Sequence, residues 1–302
     1  MIWMTSGVFL RNTKDMKYLI ERSDKHLLMA AGWQVIQVLE DAGKYPMFLC
    51  VSGSHSFGLE QQDSDIDIRG VYLDPTERVL SLVPVGNSKS VTSDTLEGHR
   101  GSIDYQVYEF GKFLSMLLAN NGNVVRLLLS PYVLYSETSI PWEELGRKYL
   151  TKSLRLYYRG YADSQRKRAM KQRGGKALIY TYREIFDGIA VMALGRPIWD
   201  FKELWEWISA NGYYEDGLLH DYFHDPEMKI TDMGWHRFYA EWEELCKHLD
   251  FVAERSDLPE EYNGFDELNS LLYKWRLKGL FLPEIKLAYS EQPVFRKIRK
   301  EE

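Results

Sequence analysis

The pattern of apolar positions predicts one helix and three short strands in the first third of the chain. Apolar residues recur with a helical period over residues 24–43, and the glycine at the end of this run is typical of a helix terminus. Residues 47–51 and 66–73 are short apolar runs of the kind found in buried strands, and residues 102–107 alternate between apolar and polar. Residues 91–101 follow neither pattern, so we expect a connecting loop there.

The remaining two thirds of the chain have a helical pattern. Residues 109–129 predict two short helices interrupted near Asn120, and residues 141–172 predict one long helix or two consecutive helices. Another helix is predicted over residues 176–194. We therefore predict an α+β protein with a short mixed sheet in residues 1–140 and a helical domain in residues 141–302.

Two aspartates occupy alternate positions at the start of the second predicted strand. The side chains of Asp65 and Asp67 project from one face, about 6.6 Å apart along the strand, while Ile66 and Ile68 point into the core. Two carboxylates on one face repel, so the pKa of at least one should rise unless a cation lies between them. Carboxylate oxygens suit Mg²⁺ or Mn²⁺, and a pair of such ions can bind the attacking and leaving oxygens of a nucleotidyl transfer.

A Gly-Ser turn leaves the first predicted strand and is the candidate phosphate site. Gly53 allows a phosphate to approach the backbone, and the Ser54 hydroxyl and nearby N–H groups can hold it. His55 either contacts a phosphate or hydroxyl, or is a turn histidine exposed to solvent. Arg69 either binds the phosphates or a metal-bound carboxylate, or neutralises Asp67.

This arrangement resembles the DNA polymerase β-type nucleotidyltransferase superfamily, in which a Gly-Ser turn precedes an acidic-apolar-acidic triplet. The combination of G-S-H-S-F-G with D-S-D-I-D-I-R-G-V resembles, more narrowly, the RlaP-like nucleotidyltransferases associated with RNA repair. Such sites have a third carboxylate on a neighbouring strand, which binds the metal and takes the proton from the attacking hydroxyl. The resemblance implies Asp104 for this role. Glu109 is the alternative, although its position at a helix start suits a favourable dipole interaction.

One face of the helix over residues 176–194 presents a second candidate nucleotide site. Lys176, Tyr180 and Arg183 lie on one face together with Asp187. Lysine and arginine can neutralise the β- and γ-phosphates of a nucleotide, and tyrosine can hydrogen-bond or stack. The resemblance implies that this helical half closes over the triphosphate. The alternative is a charged outer face with Tyr180 half-buried.

Composition is that of an ordinary globular protein, with 302 residues of which 45% are hydrophobic and 27% charged. The two cysteines, Cys50 and Cys246, do not indicate a disulfide framework, so we expect a reducing, cytoplasmic setting. No apolar run approaches the roughly 18 to 20 residues that span a bilayer. The apolar start, residues 1–10, has no basic leader, so a secretory signal is not expected.

Charge is unevenly distributed along the chain. The formal net charge is −6, yet residues 159–183 contain eight basic side chains and one acidic side chain. This segment is either a site for polyphosphate or RNA, or a solvated helix face. The basic residues 295–300 near the end of the chain are a further candidate RNA contact.

These observations predict a metal-dependent enzyme that moves a nucleotidyl group from a nucleoside triphosphate to a hydroxyl. An RNA end is the favoured acceptor because of the resemblance and the basic segment. A protein hydroxyl, as in nucleotidylating toxins of this superfamily, is the first alternative. A non-catalytic nucleotide- or RNA-binding module is the second, although such a module has no need of three converging carboxylates. The sequence leaves open which triphosphate is used and the oligomeric state.

Overall fold

A five-stranded mixed sheet forms the centre of the first part of the chain. The computed structural model describes residues 24–82, 91–98, 101–215 and 217–280, so the predictions for residues 1–10 and 295–300 lie outside the described residues. The strand order is β3-β4-β2-β1-β5, with β2 and β4 parallel and the other neighbouring pairs antiparallel. The strands are β1 (Tyr45–Ser52), β2 (Ile66–Leu73), β3 (Val91–Glu97), β4 (Ser102–Glu109) and β5 (Val133–Ser136).

Helices make up most of the remaining described chain, and none of those helices has the length and apolarity needed to cross a membrane. Seven of them precede the long helix α8: α1 (Lys25–Asp41), α2 (Gly53–Phe57), α3 (Thr76–Val79), α4 (Phe110–Leu118), α5 (Gly122–Leu128), α6 (Trp142–Lys148) and α7 (Leu154–Gln172). The others are α8 (Gly175–Leu194), α9 (Phe201–Ala210), α10 (Leu218–His224), α11 (Asp232–Arg255) and α12 (Phe265–Gly279).

The two faces of the sheet have different partners. Alternation along β1, β2 and β4 turns one set of apolar side chains, including Val51, Ile68 and Tyr105, toward α1, which buries them in one core cluster. The opposite face carries Cys50 and Val71, which pack under α4 to α6 in a larger cluster. Farther along, this second face becomes polar, because it continues into the aspartates. The sheet therefore has one buried face and one face whose end remains available for a site.

Residues 91–97 are not part of a loop, contrary to the prediction for residues 91–101. Val91–Glu97 is strand β3, an edge strand that pairs antiparallel with β4 from Val91 opposite Tyr108 to Glu97 opposite Ser102. The segment is rich in serine, threonine and acidic residues and its described side chains are largely exposed. An edge strand is held by backbone hydrogen bonds to one neighbour, so it needs no apolar alternation, and that is why its pattern was not visible in the sequence.

The helical predictions agree with the observed elements. The break near Asn120 separates α4 from α5, and residues 141–172 form two consecutive helices, α6 and α7. The predicted division at residues 140 and 141 stays a prediction. The larger core cluster contains residues from both sides of it, from Met47 on β1 to Trp275 on α12.

Helix α12 returns to the sheet and contacts the ends of β2 and β4. Arg276 Nη2 lies 2.5 Å from Glu109 Oε1 at the end of β4, and Arg276 Nη1 donates to the Asp74 carbonyl at 3.2 Å. The Thr76 hydroxyl in turn donates to the Arg276 carbonyl at 2.6 Å. Glu109 is therefore committed to structure, because its other carboxylate oxygen accepts the Gly111 N–H that caps α4.

We expect Arg276→Met to lower the free energy of unfolding by about 3 kcal/mol, because removal of one partner leaves the largely buried Glu109 carboxylate uncompensated. Urea unfolding monitored by circular dichroism measures this change. Arg147→Met is the matched control, since its pair with Glu143 is exposed and should contribute less than about 0.5 kcal/mol. Equal effects of the two substitutions would contradict this account of the α12 contact.

Candidate active site

Three aspartates converge at the polar end of the sheet face described above. Asp67 on β2 and Asp104 on β4 are direct partners in the parallel register. Asp65 immediately precedes β2, two residues from Asp67, and its Oδ1 accepts hydrogen bonds from the Ser102 hydroxyl at 2.6 Å and the Ser102 N–H at 3.3 Å. The starts of β2 and β4, together with the residue immediately before β2, thus bring three carboxylates to one end of the sheet.

Each carboxylate is oriented by a neighbour that binds only one of its oxygens. In the described part of the chain, hydrogen bonds reach Oδ1 of each aspartate and leave Oδ2 without a donor. The three side-chain donors are Arg69 Nη2 to Asp67 at 2.8 Å, the Thr95 hydroxyl to Asp104 at 2.7 Å and the Ser102 hydroxyl to Asp65 at 2.6 Å. Such outer contacts hold metal-binding carboxylates in place while an oxygen stays available for a cation.

The electrostatics of the three acids favour a bound cation. Burial raises the pKa of the Asp67 carboxyl, Arg69 opposes that rise, and the charges of Asp104 and Asp65 add to it. The ion pair with Arg69 therefore does not offset the combined effect of burial and the two neighbouring carboxylates on the pKa of Asp67. Oxygen ligands with residual negative charge suit Mg²⁺ or Mn²⁺, so the donor set present fits the predicted divalent ions.

Gly53 allows the close approach of the Asp67 side chain. Its φ is +62°, and a Cβ placed on it would lie 2.0 Å from Asp67 Oδ2. A side chain at position 53 would therefore displace the carboxylate, in addition to the strain of a left-handed backbone. Glycine is thus required at position 53 for a structural reason in addition to phosphate access, because it lets the Asp67 carboxylate on β2 lie against the turn.

A cleft of about 800 Å³ lies between the sheet and the helices, and the Gly-Ser turn and two of the aspartates line it. This volume is within the range of ordinary small-molecule sites, about 300–1,000 Å³. Seven of the ten predicted site residues line it: Gly53, Ser54, Asp65, Asp67, Arg69, Lys176 and Tyr180. Asp104 lies beside Asp67, just outside the lining. His55 and Arg183 are elsewhere.

His55 takes neither of the two positions considered for it. The ring is buried, its Nδ1 lies 3.3 Å from Asp24 Oδ2 and its Nε2 lies 3.4 Å from the Ser64 carbonyl oxygen. One ligand atom each from Asp24, His55 and Glu60 lie within 4.8 Å of one another, which forms a cluster separate from the three aspartates. The contact joins residues 31 positions apart, so no local sequence signal could have indicated it.

Arg183 is a second correction, because it lies in the protein interior and not at the cleft surface. Helix α8 packs against α7, α9, α10 and α11, which buries most of its circumference beyond the first turn. Arg183 is 1% exposed, Nη1 lies 2.8 Å from Glu184 Oε1, and the guanidinium stacks over the Phe57 ring. The predicted stripe therefore starts in the cleft with Lys176 and Tyr180 and then continues into the core. Burial also lowers the pKa of Arg183, with Arg126 adding to this effect.

Arg126 connects this buried cluster to the cleft. Its Nη1 lies 2.8 Å from Glu184 Oε2 and its Nε lies 3.4 Å from Asp187 Oδ2. Burial alone would lower the pKa of Arg126, but the two carboxylates raise it well above its ordinary value. Two arginines and two acids thus form a compact buried group whose Arg126 and Glu184 reach the cleft wall.

Tyr180 lies near the acids. Burial raises the pKa of Tyr180 to about 12, with Arg183 lowering it and Asp67 adding to the rise. Its phenol is therefore a hydrogen-bond donor at neutral pH. Several cleft residues were not singled out as site residues from the sequence: Gln106, Arg126, Tyr161, Gln165, Arg168, Gln172 and Trp199. Arg168 had a signal, since it belongs to the basic segment, whereas the amides had none.

The comparisons with known proteins identify the family of this chain. Residues 35–274 match the family described as RNA repair pathway DNA polymerase beta family, RlaP, and the chain belongs to that family. An uncharacterized protein of Methanocaldococcus jannaschii is 31% identical over 239 residues, which cover 76% of this chain and 93% of that protein.

A crystal structure of a nucleotidyltransferase-like protein from Exiguobacterium sibiricum is also similar. It shares 10% identity over 84% of this chain and 89% of its own, with a TM-score of 0.29. The α+β polymerase β-like fold predicted from the sequence is confirmed by the observed sheet and helices together with family membership.

We expect Gly53→Ala to destabilise the fold by about 1–2 kcal/mol from its left-handed backbone alone, with displacement of Asp67 in addition. Gly160→Ala is the control: a Cβ there meets nothing within 4 Å on helix α7, so the substitution should stabilise by up to about 1 kcal/mol. Urea unfolding of both variants measures the difference. A stable Gly53→Ala protein would show that Asp67 does not require the close approach.

We expect Asp67→Asn to raise the thermal unfolding midpoint of the metal-free protein at pH 7 by about 2 °C. A carboxyl whose pKa is higher in the folded than in the unfolded state costs stability at pH values above both, and the amide removes this cost. Excess Mn²⁺ should reverse the order, because it stabilises the wild type and not the variant. A lower midpoint for the metal-free variant, with exposed Asp94→Asn unchanged, would contradict the electrostatic account.

Proposed function

We propose that this protein transfers a nucleotidyl group from a nucleoside triphosphate to a hydroxyl at an RNA end, using divalent ions held by Asp65, Asp67 and Asp104. The observation that carries the proposal is the register of β2 and β4, which makes Asp67 and Asp104 direct neighbours beside Gly53 at the edge of a cleft. Membership of the RNA-repair polymerase β family supports both the reaction class and the RNA acceptor.

The reaction exchanges one phosphorus–oxygen bond for another. The acceptor hydroxyl oxygen bonds to the α-phosphorus, while the bond from that phosphorus to the oxygen bridging the β-phosphate breaks. Pyrophosphate leaves with the electron pair, and the hydroxyl proton passes to Asp104. Bound Mg²⁺ or Mn²⁺ supplies charge neutralisation for the phosphate oxygens.

Residues of the cleft orient the reactants. The Thr95 hydroxyl fixes Oδ1 of Asp104 and leaves Oδ2 available to accept the proton. Gly53 and Ser54 form the candidate triphosphate seat, and the exposed ammonium of Lys176 lies at the cleft rim where it can attract the phosphates. The Tyr180 hydroxyl can donate a hydrogen bond to the substrate from the helical side of the cleft, and Arg69 holds Asp67 in place through their ion pair. His55 and Arg183 have no part in this proposal.

Positioning and charge neutralisation then account for most of the rate enhancement. In phosphoryl and nucleotidyl transfers the protein contributes little covalent chemistry of its own, so fixed geometry and electrostatic stabilisation carry the reaction. The outer hydrogen bonds to the three aspartates are consistent with this requirement, because they limit the motion of each carboxylate before substrate binds.

We expect Asp104→Asn to reduce transfer of label from α-labelled nucleoside triphosphate to RNA by about a hundredfold or more, because the proton acceptor is lost. Asp94→Asn is the matched control. It removes an acid from the neighbouring strand β3, opposite Tyr105, where the side chain lies on the other face of the sheet. The assay uses each of the four triphosphates, with Mg²⁺ or Mn²⁺, on RNA ending in a free hydroxyl and on RNA whose end is blocked by phosphate.

The same assay separates the alternative functions. Label found only in protein bands of a cell lysate would identify a protein-nucleotidylating enzyme and overturn the RNA acceptor. Binding of triphosphate without label transfer to RNA or protein would identify a non-catalytic binding module. Equal activity of Asp104→Asn and Asp94→Asn would remove Asp104 from the reaction.

A further inference from the structure

One face of helix α7 presents a polar stripe to the cleft. Tyr161, Gln165, Arg168 and Gln172 are spaced i, i+4, i+7 and i+11, so their side chains share a single helix face, and all four line the cleft. The stripe, called here the α7 face, spans about 16 Å at 1.5 Å per residue. Tyr161 and Gln165 are half-buried, whereas Arg168 and Gln172 are exposed at the outer end.

Most of the basic segment is neutralised within the protein, and Arg168 is an exception. Within the described residues Arg168 forms no ion pair, while four of its basic neighbours have carboxylate partners on their own or an adjacent helix. These pairs are Arg159 with Asp250, Arg166 and Lys167 with Asp163, and Arg173 with Asp232. Among the basic side chains of the segment that have no carboxylate partner within the described residues, Arg168 and Lys176 line the cleft, whereas Lys171 does not.

The inner end of the α7 face is a rigid aromatic platform. The ring of Tyr161 stacks on that of Tyr157, with centroids 5.8 Å apart and planes inclined by 11°. Tyr157 is itself fixed, because its hydroxyl donates to Asn123 Oδ1 at 2.8 Å. A planar ring held in this way can stack on a base with little further loss of side-chain freedom.

The chemistry of the α7 face suits bases and sugars better than a triphosphate. It offers one aromatic ring, two neutral amides and a single cation, whereas three linked phosphates require several cations. Amides can donate to and accept from base edges or a 2′-hydroxyl, and one guanidinium can contact one backbone phosphate. The face is also open at its outer end, which allows a strand to continue past the cleft.

We propose that the α7 face binds the single-stranded nucleotides that precede the reacting hydroxyl of the RNA acceptor, an inference that rests on the proposed function. Tyr161 stacks on a base near the strand end, Gln165 and Gln172 contact base edges or 2′-hydroxyls, and Arg168 binds a backbone phosphate. The sheet side of the cleft, with Gly53 and the aspartates, is left for the nucleoside triphosphate.

The test is binding without catalysis, measured by fluorescence anisotropy with a labelled single-stranded hexaribonucleotide. We expect Arg168→Gln to weaken RNA binding by about five- to tenfold and to reduce the slope of log affinity against log salt by about 0.7. Lys167→Gln is the matched control, because it removes one charge from the same helix at a side chain paired outside the cleft. It should leave RNA affinity within about twofold of wild type.

A second pair of variants tests the stacking platform. Tyr161→Ala should weaken RNA binding by at least about fivefold. Tyr161→Phe, which retains the ring, should bind RNA with wild-type affinity. Thermal unfolding of both variants checks that the fold is retained. Affinity for a fluorescent nucleoside triphosphate with Mn²⁺, measured in parallel, should stay within twofold of wild type for Arg168→Gln.

The outcomes distinguish this inference from the proposed function. If Arg168→Gln weakens triphosphate binding and spares RNA, the α7 face belongs to the triphosphate and the inference is wrong. If RNA binding is unchanged in the α7 variants while label transfer to RNA proceeds, the inference fails and the function stands. If RNA binding depends on the α7 face but label is never transferred, the function fails and the RNA-binding surface stands.

Discussion

The site depends on electrostatic repulsion that the fold enforces. Parallel pairing of β2 with β4 places Asp67 directly beside Asp104, and the backbone of Gly53 lies close to the Asp67 carboxylate. Without the constraint of the fold, mutual repulsion would move these carboxylates apart. Core packing of Ile66, Ile68 and their neighbours on the opposite face keeps the strands in register and holds the charges together. Apolar burial on one side of the sheet therefore maintains an unfavourable charge distribution on the other, which a bound cation would relieve.

The helical region completes the cleft with a different kind of constraint. Arg126, Arg183, Glu184 and Asp187 form a buried group of balanced charge, whose members would each be costly to bury alone. Because Glu184 binds both guanidinium groups, the cleft wall and the interior of α8 are held by one shared contact. The wall facing the aspartates is thus anchored in the core, and this favours a site that is formed before substrate arrives.

Sequence reasoning reached the parts of this protein that depend on local pattern. Alternation along β2 and β4 indicated which acids share a face, and the break near Asn120 was visible as a glycine- and asparagine-rich interruption. The contact between His55 and Asp24, and the packing of four other helices around α8, could not be predicted from the sequence, because both depend on residues that are far apart in the chain. The same helical spacing that put Lys176 at the cleft put Arg183 in the core, since periodicity gives the face of a helix and not what covers each turn of it.

The return of α12 to the sheet has a consequence for motion. Arg276 ties the last described helix to Glu109 and Asp74, and Thr76 binds the Arg276 backbone, so residues about 200 positions apart in the chain are joined. The helical region is thereby attached to the sheet at a second point in addition to the α4 and α5 packing. Because the helical region contacts the sheet at two separate places, its rotation about a single hinge is restricted. We therefore expect the cleft between the sheet and the helices to keep a nearly constant width.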